Sequence, residues 1–146
     1  IGRAELSDEE ALAMYEDYLA VYRSNWQAYP DALPSLQEAL GRGLKVGILT
    51  NGAEEMQRAK LERTGLWLDG MIMCATVELG APKPQPESYR AALEKIGASA
   101  GHTVMIGDSW ENDVAGARRA GLHAVYLDRT GNAGASISSL DELVWP

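Results

Sequence analysis

The sequence predicts an α/β protein, a parallel sheet covered by helices. Three features carry this reading. From residue 44 onward, short apolar runs alternate with longer mixed stretches over short links, the pattern of parallel strands joined through helices. The apolar runs end in polar punctuation, at Thr50-Asn51-Gly52 and at Gly107-Asp108. The mixed stretches close on glycine, at Gly65, Gly97 and Gly121, as helices commonly do.

The elements follow in order. Ser7-Asp8-Glu9-Glu10 has the form of a capping box, with Ser7 as N-cap and Glu10 reaching back. The helix it opens is expected to run to Arg23 or Ser24. Leu12, Tyr15, Leu19 and Tyr22 recur at helical spacing, and Met14, Tyr18 and Val21 widen that face. So much aromatic surface is expected to pack as core. Tyr29-Pro30-Asp31-Ala32-Leu33-Pro34 breaks the pattern and marks a boundary. Pro34 suits the first turn of a helix ending near Gly41 or Gly43. Leu44 to Leu49 reads as a buried strand and Ala53 to Arg63 as a helix. Met71 to Val77 is the next strand, and Pro82-Lys83-Pro84-Gln85-Pro86 a rigid loop. Glu87 to Ile96 is a helix and Thr103 to Ile106 a strand. A helix over Asn112 to Ala120, capped by Asn112 or Ser109, precedes a last strand, His123 to Leu127. Ser138 to Leu143 is a short helix at most.

Composition bounds the function. A chain of 146 residues, 46% hydrophobic and 23% charged, can bury one sizeable core. Thirteen basic against 21 acidic residues give a net charge of -8, which argues against nucleic acid or an anionic membrane as partner. No apolar run has the length of a membrane span, and the polar start, Ile1-Gly2-Arg3-Ala4-Glu5-Leu6, does not read as a signal peptide. The single cysteine, Cys74, lies in an apolar run and reads as core. With no disulfide to form, a reducing compartment, the cytoplasm, is expected. The start lacks an initiator Met, which hints that the natural N-terminus lies further upstream.

Parallel strands bring their carboxyl ends to one edge, where ligands bind in open α/β sheets. That edge is expected to gather Thr50-Asn51, the Lys83 loop and Asp108 to Asp113. Asp108 and Asp113, with Glu111 nearby, make an oxygen-rich site suited to Mg2+. Each feature also has a plain structural reading: Thr50-Asn51-Gly52 as a helix cap, Lys83 as a solvated lysine, Asp113 as an acid favouring a helix N-terminus. Yet two unit charges ~4 Å apart interact by roughly 4 kcal/mol at an effective dielectric near 20. A phosphate beside bare carboxylates is therefore repelled, and a metal or a lysine must offset it. Lys83, held between two prolines, is placed to do so.

Taken together, these residues resemble the haloacid dehalogenase-like (HAD) hydrolases, most of them Mg2+-dependent phosphatases. Ile48-Leu49-Thr50-Asn51-Gly52 resembles the second motif of that family. Lys83 in Lys83-Pro84-Gln85-Pro86 resembles the third, and Gly107-Asp108-Ser109-Trp110-Glu111-Asn112-Asp113 the fourth. The likeness covers roughly residues 28 to 131. It implies a Rossmann-like parallel sheet over residues 29–146, with residues 1–28 as the end of a helical cap. Gly is usual where Asp31 stands. The resemblance further implies that Thr50 and the Asn51 amide hold the transferring phosphate and that Lys83 offsets its charge. It implies that Asp108 binds Mg2+, directly or through water, and that Asp113 supports the metal shell or orients Lys83. The substrate would be a small phosphorylated metabolite, and the aspartyl nucleophile would form a phospho-aspartate that water then cleaves.

One departure is large. The first family motif, Asp-x-Asp on the central strand, is absent from the sequence. The chain therefore reads as the carboxyl-terminal part of such an enzyme, its nucleophile upstream of residue 1, and inactive by itself. Lacking a central strand, it is expected to associate, as a homodimer or through exposed sheet edges. The alternatives are a dehalogenase of the same fold, disfavoured because it needs no Mg2+ and Gly107-Asp108 is a metal-type motif, a phosphosugar mutase, a non-catalytic binding module, and a receiver-like or nucleotide-binding domain, the last disfavoured because no Gly-rich phosphate loop precedes a helix. His102 and His123, at strand starts, read as structural. Trp110 reads either as a loop anchor or as a wall toward cap or substrate.

Overall fold

A computed structural model describes residues 7–131 and 134–145. The polar start at residues 1–6 lies outside the described residues. The described chain opens with helix α1, Asp8–Ser24. The capping box is formed: the Glu10 N–H donates to Ser7 Oγ at 3.3 Å, and the Ser7 N–H donates to Glu10 at 2.9 Å. The expected packing of its aromatic face is not seen. α1 has no buried residue, and Leu12, Met14, Tyr15, Tyr18, Val21 and Tyr22 are all exposed. Helical period fixes which side chains share a face, but a face becomes core only when another element covers it. Tyr18 stacks on Tyr22, and Tyr22 meets Trp26 edge-on, their ring centres 5.9 and 5.7 Å apart.

Helix α2 spans Ala32–Gly41. Strand β1, Gly47–Thr50, helix α3, Glu54–Arg63, and strand β2, Ile72–Ala75, follow. β1 and β2 run parallel, in register from Gly47 opposite Ile72 to Thr50 opposite Ala75. The strand expected over Met71 to Val77 stops at Ala75. The chain instead turns into a one-turn helix α4, Thr76–Leu79, ended by Gly80 at φ +81°. Helix α5, Pro86–Ile96, starts on proline and closes at Gly97 in the left-handed region. Both choices are the usual ones, a missing N–H tolerated in the first turn and a glycine at the end.

Strand β3, Val104–Gly107, leads into a π-helical turn, Trp110–Ala115, and then helix α6, Gly116–Arg119. Ser109, not Asn112, is the cap: its Oγ accepts from the Asn112 N–H at 3.3 Å. Strand β4, His123–Tyr126, pairs parallel with β3. A single 3₁₀ turn, Leu140–Glu142, is the only helix of the tail among the described residues.

Among the described residues the sheet is thus two separate parallel pairs, β1–β2 and β3–β4, so that β1 and β3 each pair on one side only. Helix α5 joins them from one face. Its Tyr89 and Leu93 form a core with Ala117 and Leu122, against which Leu49 of β1, Met105 of β3 and Ala124 of β4 pack. Cys74 is wholly buried, and burial raises its thiol pKa, so the sequence reading of it as core holds. Among the described residues no helix is long and apolar enough to cross a membrane.

Candidate active site

The carboxyl ends of β1 and β3 open onto one cavity of about 320 Å³. Ile48, Leu49 and Thr50 line one wall, and Met105, Ile106, Gly107 and Asp108 another; Lys83 and Asp113 also line it. Gln57, Lys60 and Leu61 of α3 add to the lining, as do Gln27, Thr64 and Leu66. So Thr50, Lys83, Asp108 and Asp113, singled out on three separate segments, meet in one place.

Lys83 and Asp113 form the central pair. Lys83 Nζ donates to Asp113 at 2.6 Å, and the two side chains are 10% and 7% exposed. The other Asp113 oxygen accepts from the Ser109 N–H at 3.0 Å. A buried carboxylate needs such compensation, because desolvation otherwise disfavours its charge. Gly107 makes the arrangement possible: a Cβ there would fall on the Asp113 carboxylate. Asp108 is exposed and accepts no hydrogen bond from the described residues. Its carboxylate is free for a cation.

Beneath the pair lies Tyr89, fully buried on α5. Its hydroxyl donates to the Asn112 carbonyl inside the π-helical turn. The phenol pKa is pushed up to about 12, first by burial and then by the negative charge of Asp113. Tyr89 thus stays a neutral donor and pins the turn that carries Asp113. A π-bulge at such a place is a common way to aim a functional side chain. Gly116 gives the ring its room, since a Cβ there would collide with the Tyr89 hydroxyl. Sequence reasoning missed Tyr89 and Gly116, and singled out Gly107 only as part of the Gly107-Asp108 motif. No local signal marks the first two.

The structure places two further residues, Asn51 and Glu111, differently from a sequence reading of them. Asn51 is not the cap of α3; Ala53 holds that position, and the Glu54 N–H goes to Glu78 at 3.0 Å. The Asn51 side chain turns to the Lys83 loop instead, accepting from the Lys83 N–H at 2.8 Å and donating to the Lys83 carbonyl at 2.9 Å. Glu111 leaves the acidic cluster and pairs with Arg119 at 2.6 Å on the surface. Trp110, half exposed, sits edge-on to Tyr126, their ring centres 5.6 Å apart. The His102 ring meets the Ser99 hydroxyl and the His123 ring the Gly101 carbonyl.

Among the described residues no three His, Cys, Asp or Glu side chains cluster as a metal cage. That does not conflict with Mg2+, which is usually held by one or two carboxylates, waters and substrate phosphate. An unengaged Asp108 beside a committed Asp113 suits that mode.

A profile of the haloacid dehalogenase-like hydrolases matches residues 2–121. The phosphoserine phosphatase of Thermus thermophilus is 38% identical over 128 residues, 88% of this chain and 49% of that protein. The ribulose-1,5-bisphosphate 5-phosphatase of Halopiger xanaduensis is 33% identical over 130 residues, 89% and 54% of the two chains. A solved HAD phosphatase from Thermococcus onnurineus superposes with a TM-score of 0.77 at 37% identity, covering 88% of this chain and 61% of that one. The chain spans about half the length of the curated relatives it matches.

Proposed function

The chain belongs to the haloacid dehalogenase-like hydrolases, and on that premise we propose that it forms the carboxyl-terminal part of a Mg2+-dependent phosphatase of a small phosphorylated metabolite. The observation that carries this is the buried Lys83–Asp113 pair sharing one cavity with Thr50 and Asp108. A phosphoryl group entering there meets a hydroxyl, an ammonium and a free carboxylate able to hold a cation.

The nucleophile in this reading is an aspartate from a segment preceding residue 1. A strand carrying it fits between β1 and β3, whose unpaired edges wall the cavity. That carboxylate attacks phosphorus, the ester P–O bond breaks, and the leaving alkoxide takes a proton from the second carboxylic acid of the same upstream Asp-x-Asp segment. Water then hydrolyses the phospho-aspartate. Thr50 and the Asn51 N–H hold phosphate oxygens. Lys83 stabilises charge on the transferring group, and Asp113 fixes the direction of its ammonium. Asp108 would hold Mg2+, with Asp113 supporting that side of the site. When bound, the ion supplies charge neutralisation and orientation. Residues 1–28 are the end of a helical cap, and the exposed aromatic face of α1 is the surface the rest of that cap covers. The same missing strand explains why the isolated chain would associate through its open edges. The protein would work in the cytoplasm, in keeping with a single buried thiol.

The test is hydrolysis of p-nitrophenyl phosphate by the polypeptide extended upstream of residue 1, with Mg2+ and with a chelator. Turnover that requires Mg2+ and is lost in Asp108→Ala is expected, while the 146-residue chain shows none. An extended protein without turnover, or with turnover indifferent to Asp108→Ala, removes the reading. Millimolar Mg2+ should also raise the melting temperature by mass action, which a pure interaction module would not show.

A further inference from the structure

We propose that Asn51 is the positioning residue of Lys83, gripping the lysine's backbone so that its ammonium reaches Asp113; this rests on the phosphatase reading of the same site. Lys83 stands between Pro82 and Pro84, which have no N–H to donate. The three-residue stretch therefore has one backbone donor, that of Lys83, and the Asn51 Oδ1 takes it at 2.8 Å. The Asn51 Nδ2 donates to the carbonyl of the same residue at 2.9 Å. Both polar groups of one peptide residue are thus held by one side-chain amide. The orientation of that amide is fixed, because the N–H can only donate and the carbonyl can only accept.

The amide is itself held. Thr76 Oγ1, buried at the start of α4, donates to Asn51 Oδ1 at 3.2 Å. The chain of contacts then runs from the end of β1, through Asn51, to the end of β2 and the Lys83 loop. From Lys83 Nζ it crosses to Asp113 and, through the Ser109 N–H, to the end of β3. It spans the open cavity between the two strand pairs. A lysine side chain has a flexible four-carbon stem between backbone and ammonium, so its ammonium is well placed only if its backbone root is. Asn51 supplies that root, and its side chain acts on phosphate through Lys83.

Lysine reactivity tests this on the polypeptide extended upstream of residue 1, without any assumption about turnover. Wild type and the Asn51→Ala, Asn51→Asp and Thr76→Val variants are treated briefly with trinitrobenzenesulfonate. Modification of Lys83 is read by peptide mass against Lys45, which lies outside the cavity and donates to the Gly97 carbonyl, as internal reference. Asn51→Ala should raise the Lys83 to Lys45 ratio about tenfold, the scale of two lost net hydrogen bonds. Asn51→Asp keeps the acceptor for the Lys83 N–H and loses the donor, so about threefold is expected. An unchanged ratio in Asn51→Ala overturns the proposal. If both lysines speed up together the chain has unfolded, and Thr76→Val decides by the same ratio: a smaller rise supports the proposal and no rise overturns it. A second arm uses the extended protein and p-nitrophenyl phosphate. Asn51→Ala should lower kcat more than it changes KM, yet add less than about twofold in a Lys83→Ala background, as for residues acting as one unit. Additive losses overturn the proposal. A protein without turnover removes the phosphatase reading, while the reactivity ratio still decides the role of Asn51.

Discussion

Asp31 and Asp113 are both buried, both face a cation, and differ in how far their own chain satisfies them. Asp31, before α2, receives the Arg129 guanidinium through two bonds, at 2.7 and 2.9 Å. It also accepts from the Ser139 hydroxyl at 2.9 Å and the Leu140 N–H at 2.8 Å. Arg129 in turn lies 4.0 Å over the Tyr29 ring. Asp113 receives one bond from Lys83 and one from the Ser109 N–H, and it borders a cavity next to an unengaged Asp108. A carboxylate whose partners all come from distant parts of its own chain ties those parts together. One left with lone pairs facing a cavity has something to offer a ligand. Asp31 therefore clasps the α1–α2 link to the tail, which accounts for an aspartate where the family usually has glycine. Asp113 faces the cavity.

The comparison predicts opposite outcomes for similar chemical changes. Arg129→Ala leaves Asp31 buried and unpaired and should cost about 3 kcal/mol of stability. Urea midpoints check this, and kcat of the extended protein well below its melting temperature should stay within about twofold of wild type. Asp113→Asn should do the reverse, with kcat falling about a hundredfold, or roughly 2.7 kcal/mol of barrier. If Arg129→Ala lowers kcat as much as Asp113→Asn does, the division between clasp and site is wrong.

Gly107→Ala sharpens the comparison without touching a charge. Its Cβ falls on the Asp113 carboxylate, so about 2 kcal/mol of overpacking strain and a displaced Asp113 are expected. A crystal structure of that variant with Asp113 unmoved would contradict this. The smallest effect is one of pH. The Arg129 guanidinium above all, helped by Leu140 and Ser139 and opposed by burial, holds the Asp31 carboxyl down at about 2, from an ordinary 3.8. A lowered folded pKa means that stability is fully present above about 4 and lost as pH falls toward 2. Wild type should lose more stability between pH 4.5 and 2.5 than Asp31→Asn, as read from urea midpoints at each pH. Equal losses would place the acid sensitivity elsewhere.

Much of the site was legible before any coordinates. Thr50, Lys83, Asp108 and Asp113 announce themselves because each is a polar residue at the end of an apolar strand or inside a proline-fixed loop. Parallel topology then sends all three segments to one edge. What remained hidden lies in single long-range contacts. Asn51 looks like a helix cap because Asn before a helix usually is one; here Glu78 takes that role and frees the amide for Lys83, 32 residues away. Tyr89 looks like core and is core, but the carbonyl its hydroxyl meets belongs to another element.

The sequence by itself determined the order of strands and helices, their ends at Ser7, Gly97 and Gly121, and the edge to which the polar groups go. These depend on local periodicity, capping and backbone freedom, which a few neighbouring residues settle. Only the tertiary structure decided that α1 buries nothing, that Glu111 leaves the site for Arg119, and that of two buried aspartates one is a clasp and the other faces a cavity. Burial and partnership depend on what the rest of the chain places alongside, and no local pattern encodes that.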